Sequence, residues 1–170
     1  TALVIVFVMH TFSMVANILA APFNGLLAEK TEELLTGKPV AGVEGFLGAL
    51  KDAPRIIVKE LAKLGYYLVR AIPIALLALI LLFVFPPAAT ALWFLFGAWM
   101  LALEYCDYPM DNHQHSLREV KTHIGNKRLT SLAFGSATML GTMIPIVNFI
   151  VMPAAVCGAT IYWTEDLKKP

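Results

Sequence analysis

Charge is scarce in this 170-residue chain. Asp, Glu, Lys and Arg make up 15% of it, against 58% apolar residues and a mean hydropathy of +0.71. A soluble domain carries about 25% charged residues, and a disordered chain is poor in apolar residues and rich in charge. The composition excludes disorder and argues against a soluble globular fold. Cysteine is scarce too. Cys106 and Cys157 lie in different segments without a C-x-x-C pair, which excludes a disulfide framework. A formal net charge of +1 offers no field for nucleic acid. The chain has no G-x-S-x-G, no H-E-x-x-H and no phosphate loop, so we assign no catalytic residue, no cofactor and no enzymatic activity. No basic segment precedes the first apolar run, so no secretory signal is visible. The chain opens at Thr1, already inside that run, and we expect native sequence upstream of it.

The scarcity of charge is local. Residues 1–28, 71–103 and 129–164 contain no Asp, Glu, Lys or Arg and together exceed half the chain. A bilayer can solvate three such runs and water cannot. The expected fold is therefore an all-α integral membrane protein forming one membrane domain over 1–170.

Residues 1–37 read as a transmembrane helix with a cytoplasmic extension, bent at Pro22. Residues 38–70 read as an amphipathic helix, because apolar side chains recur at steps of three and four. Within it Lys51, Arg55, Lys59 and Lys63 form one basic ridge. That ridge fits a helix lying on anionic lipid, or the vestibule of an anion path.

Run 71–103 is broken by Pro86-Pro87 and run 129–164 by Pro145. Each half is about 15–18 residues, short for a ~30 Å hydrocarbon core at ~1.5 Å per residue. Both runs therefore read as helical hairpins that penetrate the bilayer only partly and return to the side they left. Small residues at Ala133, Ala137 and Gly141 offer a stripe for helix contact. Between the hairpins, 104–128 reads as a polar segment with a short helix, and 165–170 as a tail. All thirteen Lys and Arg then share one face, which the positive-inside rule makes cytoplasmic.

Within the apolar runs, Asn17, Asn24 and Asn148 stand out. An amide supplies two N–H donors without fixed charge, which suits transient contact with an anion. Interhelical hydrogen bonding is the plainer reading. His113, His115 and His123 with Asp107 and Asp111 have only weak metal-site spacing, so no metal is assigned. Ser116 and Glu119 have the spacing of a capping box, and Glu104 with Arg118 reads as a structural ion pair.

Two segments carry a resemblance. Ala21-Pro-Phe-Asn-Gly-Leu-Leu-Ala-Glu-Lys and Glu104-Tyr-Cys-Asp-Tyr-Pro-Met-Asp-Asn-His resemble, in this order, two boxes of the CysZ family of bacterial inner-membrane sulfate transporters. The resemblance runs from Thr1 to about Lys169. The family carries a further N-terminal membrane helix and anion-contacting arginines upstream.

The resemblance implies channel-like, ATP-independent sulfate uptake across the bacterial inner membrane, supplying cysteine biosynthesis. It also implies a multi-pass homo-oligomer that mixes full crossings with partial hairpins. It marks Pro22, Phe23, Asn24, Glu29, Lys30, Glu104, Asp107, Tyr108, Pro109 and Asn112. Combining both readings, we expect Asn17, Asn24 and Asn148 along the sulfate path, with Arg118 and Lys30 near an entrance. Pro22, Phe23, Glu29, Glu104, Asp107, Tyr108, Pro109 and Asn112 are expected to be structural or orienting. The expected partners are sulfate, the lipid bilayer and further copies of the chain. The competing reading is a membrane scaffold that modulates another transporter.

Overall fold

The computed structural model describes residues 23–40 and 52–167, and every regular element in them is helical. Six helices follow in order: α1 over 23–36, α2 Ala53–Val84, α3 Pro86–Asn112, α4 Leu117–Asn126, α5 Arg128–Thr142 and α6 Pro145–Tyr162. A π-helical turn, Trp163–Leu167, closes the described chain. Asn17, Pro22 and Lys51 lie outside the described residues.

Local chemistry sets the helix ends. Gly37 has φ +68°, and its N–H bonds to the Glu33 carbonyl at 2.8 Å, a left-handed stop that glycine adopts without a Cβ penalty. Phe85 is forced out of helix by the ring of Pro86, while Pro86 suits a first helical position, where no N–H is needed. Ile144 before Pro145 repeats the device between α5 and α6. Both proline breaks therefore make helical hairpins at the positions read from the sequence.

Two boundaries differ. The amphipathic helix does not end near Arg70. It continues without a break to Val84, so α2 is one helix of 32 residues, roughly 48 Å long. Pro73 was the available stop, but it withdraws only one N–H from the ladder, which a membrane helix tolerates. Likewise, the first part of the polar segment, Glu104–Asn112, continues the preceding helix as the last turns of α3. Both arms of the first hairpin are thus long helices whose charge-free portions, 71–84 and 86–103, remain short.

Among the described residues, three helical stretches are long and apolar enough to cross a membrane: Pro54–Val84, Pro86–Asn112 and Pro145–Leu167. The protein is an all-α membrane protein. Ile72, Leu76, Ile80 and Phe83 on α2, and Ile146, Phe149 and Ile150 on α6, leave their side chains uncovered, as a lipid-facing surface requires.

The buried core sits at the other end, around the C-terminal half of α3. Leu103, Cys106 and Met110 pack there with Val120 and Ile124 of α4, Val156 and Ala159 of α6, Trp163 and Leu167. Helix α3 is the hub, packing against α2, α4, α5 and α6. Its closest approach is to α5, where a Cβ on Gly135 would overlap the Ala98 carbonyl oxygen. The buried face of α5 is therefore Ser131, Gly135 and Thr138. Ala133 and Ala137 of the expected stripe are exposed, and Gly141 instead meets Val151 across the hairpin. Ser116 does cap α4: its N–H donates to Glu119 Oε2 at 2.7 Å, and its hydroxyl accepts from the Glu119 N–H.

Candidate functional site

The tight Phe85 link makes α2 and α3 antiparallel neighbours. The α2 cations recur every four residues, and the α3 acids Glu104, Asp107 and Asp111 recur at three and four. Antiparallel packing brings the two ridges face to face. The result is an ion ladder between the two helices, buried at the Lys63–Asp107 rung and partly accessible at its other members. Arg55 grips Asp111 with both terminal nitrogens, at 2.8 and 3.0 Å. Lys59 Nζ lies 2.6 Å from Asp111, 2.7 Å from Asp107 and 2.8 Å from the His115 carbonyl. Lys63 Nζ lies 2.6 Å from Glu60, 2.9 Å from Glu104 and 3.1 Å from Asp107. The Lys63 and Asp107 side chains are 4% and 5% exposed. Their close contacts are ionic ones, without the alignment of a hydrogen bond at Lys63 Nζ or Asp107 Oδ1.

This corrects two expectations. The basic ridge of Arg55, Lys59 and Lys63 neither coats lipid nor lines an open vestibule, because acids of α3 neutralise it. Glu104 pairs with Lys63 rather than with Arg118. Three cations meet Glu60, Glu104, Asp107 and Asp111, so the ladder has no positive excess to hold a dianion. A cavity of about 520 Å³ beside it presents Glu60 and Glu104 against Lys63 alone. That balance suits helix registration better than sulfate binding.

The two sequence boxes, some eighty residues apart, form one constellation. Asn112 Nδ2 donates to the Gly25 carbonyl at 2.9 Å, and the Asn24 amide reaches the Tyr108 hydroxyl. Tyr108 donates to Glu104 at 3.2 Å, which joins the constellation to the ladder. Both Glu32 oxygens lie 2.9 Å from His113 Nε2, with the carboxylate buried. Glu29 is buried, with Oε2 unbonded and Lys30 Nζ 3.6 Å from Oε1. Pro109 is buried within α3, where its missing N–H frees the Tyr105 carbonyl.

The remaining predicted residues are dispersed. Phe23 is exposed at the start of α1. Lys30 is exposed and bonds Glu33 at 2.7 Å, which raises its pKa above the ordinary lysine value. Asn148 is half-buried in the first turn of α6, about 22 Å of helix rise from Trp163 at the polar end. The structure thus joins Asn24 to the 104–112 box and sets Asn148 far from both. Arg118 is exposed on α4, in a basic pocket shared with Arg70, Lys121 and Arg128.

His113, His115 and His123 pack around Trp163, with ring centroids 5.2–5.8 Å from it. Partial burial, with His123 and His113 close by, pulls the His115 pKa below the ordinary imidazole value, against the opposing pull of Glu119 at 3.8 Å. Hydrogen bonds from Ser116 lower the Glu119 pKa. Among the described residues no group of three His, Cys, Asp or Glu side chains is placed to hold a metal ion.

A profile described as sulfate transporter CysZ/etoposide-induced protein 2.4 matches residues 1–153, and so takes in both boxes, the ladder and both proline breaks. The chain belongs to that family. Membership in the sulfate transporter CysZ/etoposide-induced protein 2.4 family supports a role in sulfate transport and points away from catalysis. Sequence reasoning marked Glu104 and Asp107 as orienting residues but missed their pairing with Lys59 and Lys63, the part of Asp111, and the Glu32–His113 pair. The usable signal was the matched spacing of cations and acids on either side of Pro86-Pro87.

Proposed function

We propose that this chain conducts sulfate passively across the bacterial inner membrane as a multi-pass homo-oligomer, supplying sulfate for cysteine biosynthesis. Family membership is the observation that carries the reading. The internally neutralised ladder supports a channel-like route, since a buried unpaired cation would hold a dianion too tightly for release.

Sulfate remains doubly charged at neutral pH and needs donors along its way. In this reading Asn17, Asn24 and Asn148 supply donors along the route, Asn24 toward the polar end and Asn148 toward the other. Lys30 raises local sulfate concentration at the polar end, where Arg118 also stands. Glu29, Glu104, Asp107, Tyr108, Pro109 and Asn112 hold the helices in register. Both hairpins enter the bilayer partway from the cytoplasmic face, their short charge-free arms matching that depth, and the uncovered apolar faces meet lipid and neighbouring copies.

The test is radiolabelled sulfate uptake into vesicles that contain only the purified full-length protein, with and without a pH gradient. Uptake without a gradient is the expected result. Uptake only with the gradient would replace passive conduction by proton coupling. No uptake from folded protein would overturn the reading in favour of a scaffold.

A further inference from the structure

The basic pocket around Arg118 has its own chemistry. Arg70 of α2, Arg118 and Lys121 of α4, and Arg128 of α5 converge on a cavity of about 610 Å³ with no acidic side chain in its lining. Among the described residues none of the four is ion-paired. Arg70 and Lys121 instead lie over the Tyr66 ring, 4.3 and 4.7 Å from its centroid. Four like charges in one cavity repel, and an anionic occupant removes that repulsion.

The position of the pocket identifies the occupant. Arg70 is the last charge before the apolar run 71–103, and Arg128 the last before 129–164. The cations therefore mark the boundary of the membrane. Beyond them, toward the hairpin tips, the lining becomes apolar, with Ile74 on α2 and Leu92 on α3. Tyr66 and Trp99, bonded Nε1 to hydroxyl at 3.3 Å, sit at the level where interfacial aromatics gather. A bare oxyanion has no use for the apolar wall, whereas a phospholipid uses both parts in the order in which they occur. We propose that Arg70, Arg118, Lys121 and Arg128 bind the headgroup phosphate of an anionic phospholipid whose acyl chain lies along Ile74 and Leu92. Basic pockets between membrane helices on the cytoplasmic side take such headgroups.

The test does not depend on sulfate flux. Delipidated full-length protein is titrated with phosphatidylglycerol and with phosphatidylcholine of the same acyl chains, and bound lipid is read by native mass spectrometry. The wild type is expected to bind phosphatidylglycerol at least about tenfold more tightly, given roughly fivefold per cationic side chain near an anionic surface. Arg118→Gln with Lys121→Gln abolishes that preference, as does the independent pair Arg70→Gln with Arg128→Gln. Lys38→Gln, another exposed cation, leaves it unchanged. Equal binding of the two lipids by the wild type, or an undiminished preference in both double variants, overturns the proposal. Displacement of phosphatidylglycerol by millimolar free sulfate also overturns it, and would make the pocket a site for the bare oxyanion.

Discussion

Replacing Lys63 with methionine isolates the central rung of the ladder. The change keeps side-chain length and removes the cation that bridges Glu60, Glu104 and Asp107, each within 3.1 Å of its Nζ. Glu60 and Glu104 are partly accessible and can recover some solvation, whereas Asp107 cannot. Removing one partner from a buried pair costs about 3–5 kcal/mol, because the other charge stays buried and uncompensated. Lys59 still reaches Asp107 at 2.7 Å, so the lower end, about 3 kcal/mol, is expected here. For a chain of this size that lowers the unfolding midpoint by roughly 6–12 °C. The assay is fluorescence-detected thermal unfolding in detergent. A second substitution separates charge from packing. Lys63→Met with Asp107→Asn removes both charges and should recover at least half of the loss, whereas Lys63→Met with Asp52→Asn should recover none. If Lys63→Met were no worse than Lys38→Met, or if the Asp107 change gave no recovery, the ladder would not hold the hairpin together.

Gly135→Ala should destabilise by about 1–3 kcal/mol, because its Cβ meets the backbone of Ala98 and the two helices must part. Ala133→Val on the exposed face of the same helix should be near neutral in the same unfolding assay. Ser116→Ala should cost about 1 kcal/mol through loss of the α4 cap, read as a lowered unfolding midpoint. The folded-state His115 pKa is lowered, so the unfolded state binds the proton more readily there. Its contribution is therefore constant above about pH 6.5 and declines as pH falls below that value toward the folded pKa. The difference in midpoint between wild type and His115→Gln, followed from pH 8 to pH 5, should change in that window, and a flat difference would refute the assignment. Asn24→Ala should lower sulfate flux in vesicles severalfold while the ladder keeps the fold, and unchanged flux would remove Asn24 from the path.

Much of the architecture was legible along the chain because its causes are local. Charge-free runs specify membrane helices, a proline forces the preceding residue out of helix, and Ser116 with Glu119 caps α4 within one turn. The stop at Arg70 was misread because a change from amphipathic to apolar composition looks like a boundary, although nothing in the backbone chemistry there ends a helix. The two boxes could be picked out by their residues, but not their contact, since Asn112 and Gly25 meet only when α1 docks on α3.

The sequence by itself determined the class of solvent, the positions of both hairpin breaks and the family, because each depends on residues close together or on composition. Only the tertiary structure decided what the charges do. Arg55, Lys59 and Lys63 make a basic ridge in isolation, and α3 turns that ridge into a closed ladder. Arg70, Arg118, Lys121 and Arg128 come from three helices, and among the described residues no acid pairs with them, so they remain a cationic pocket. Coulombic partnership decays over a few ångströms, and which charges lie within that distance is settled by packing between helices rather than by order along the chain.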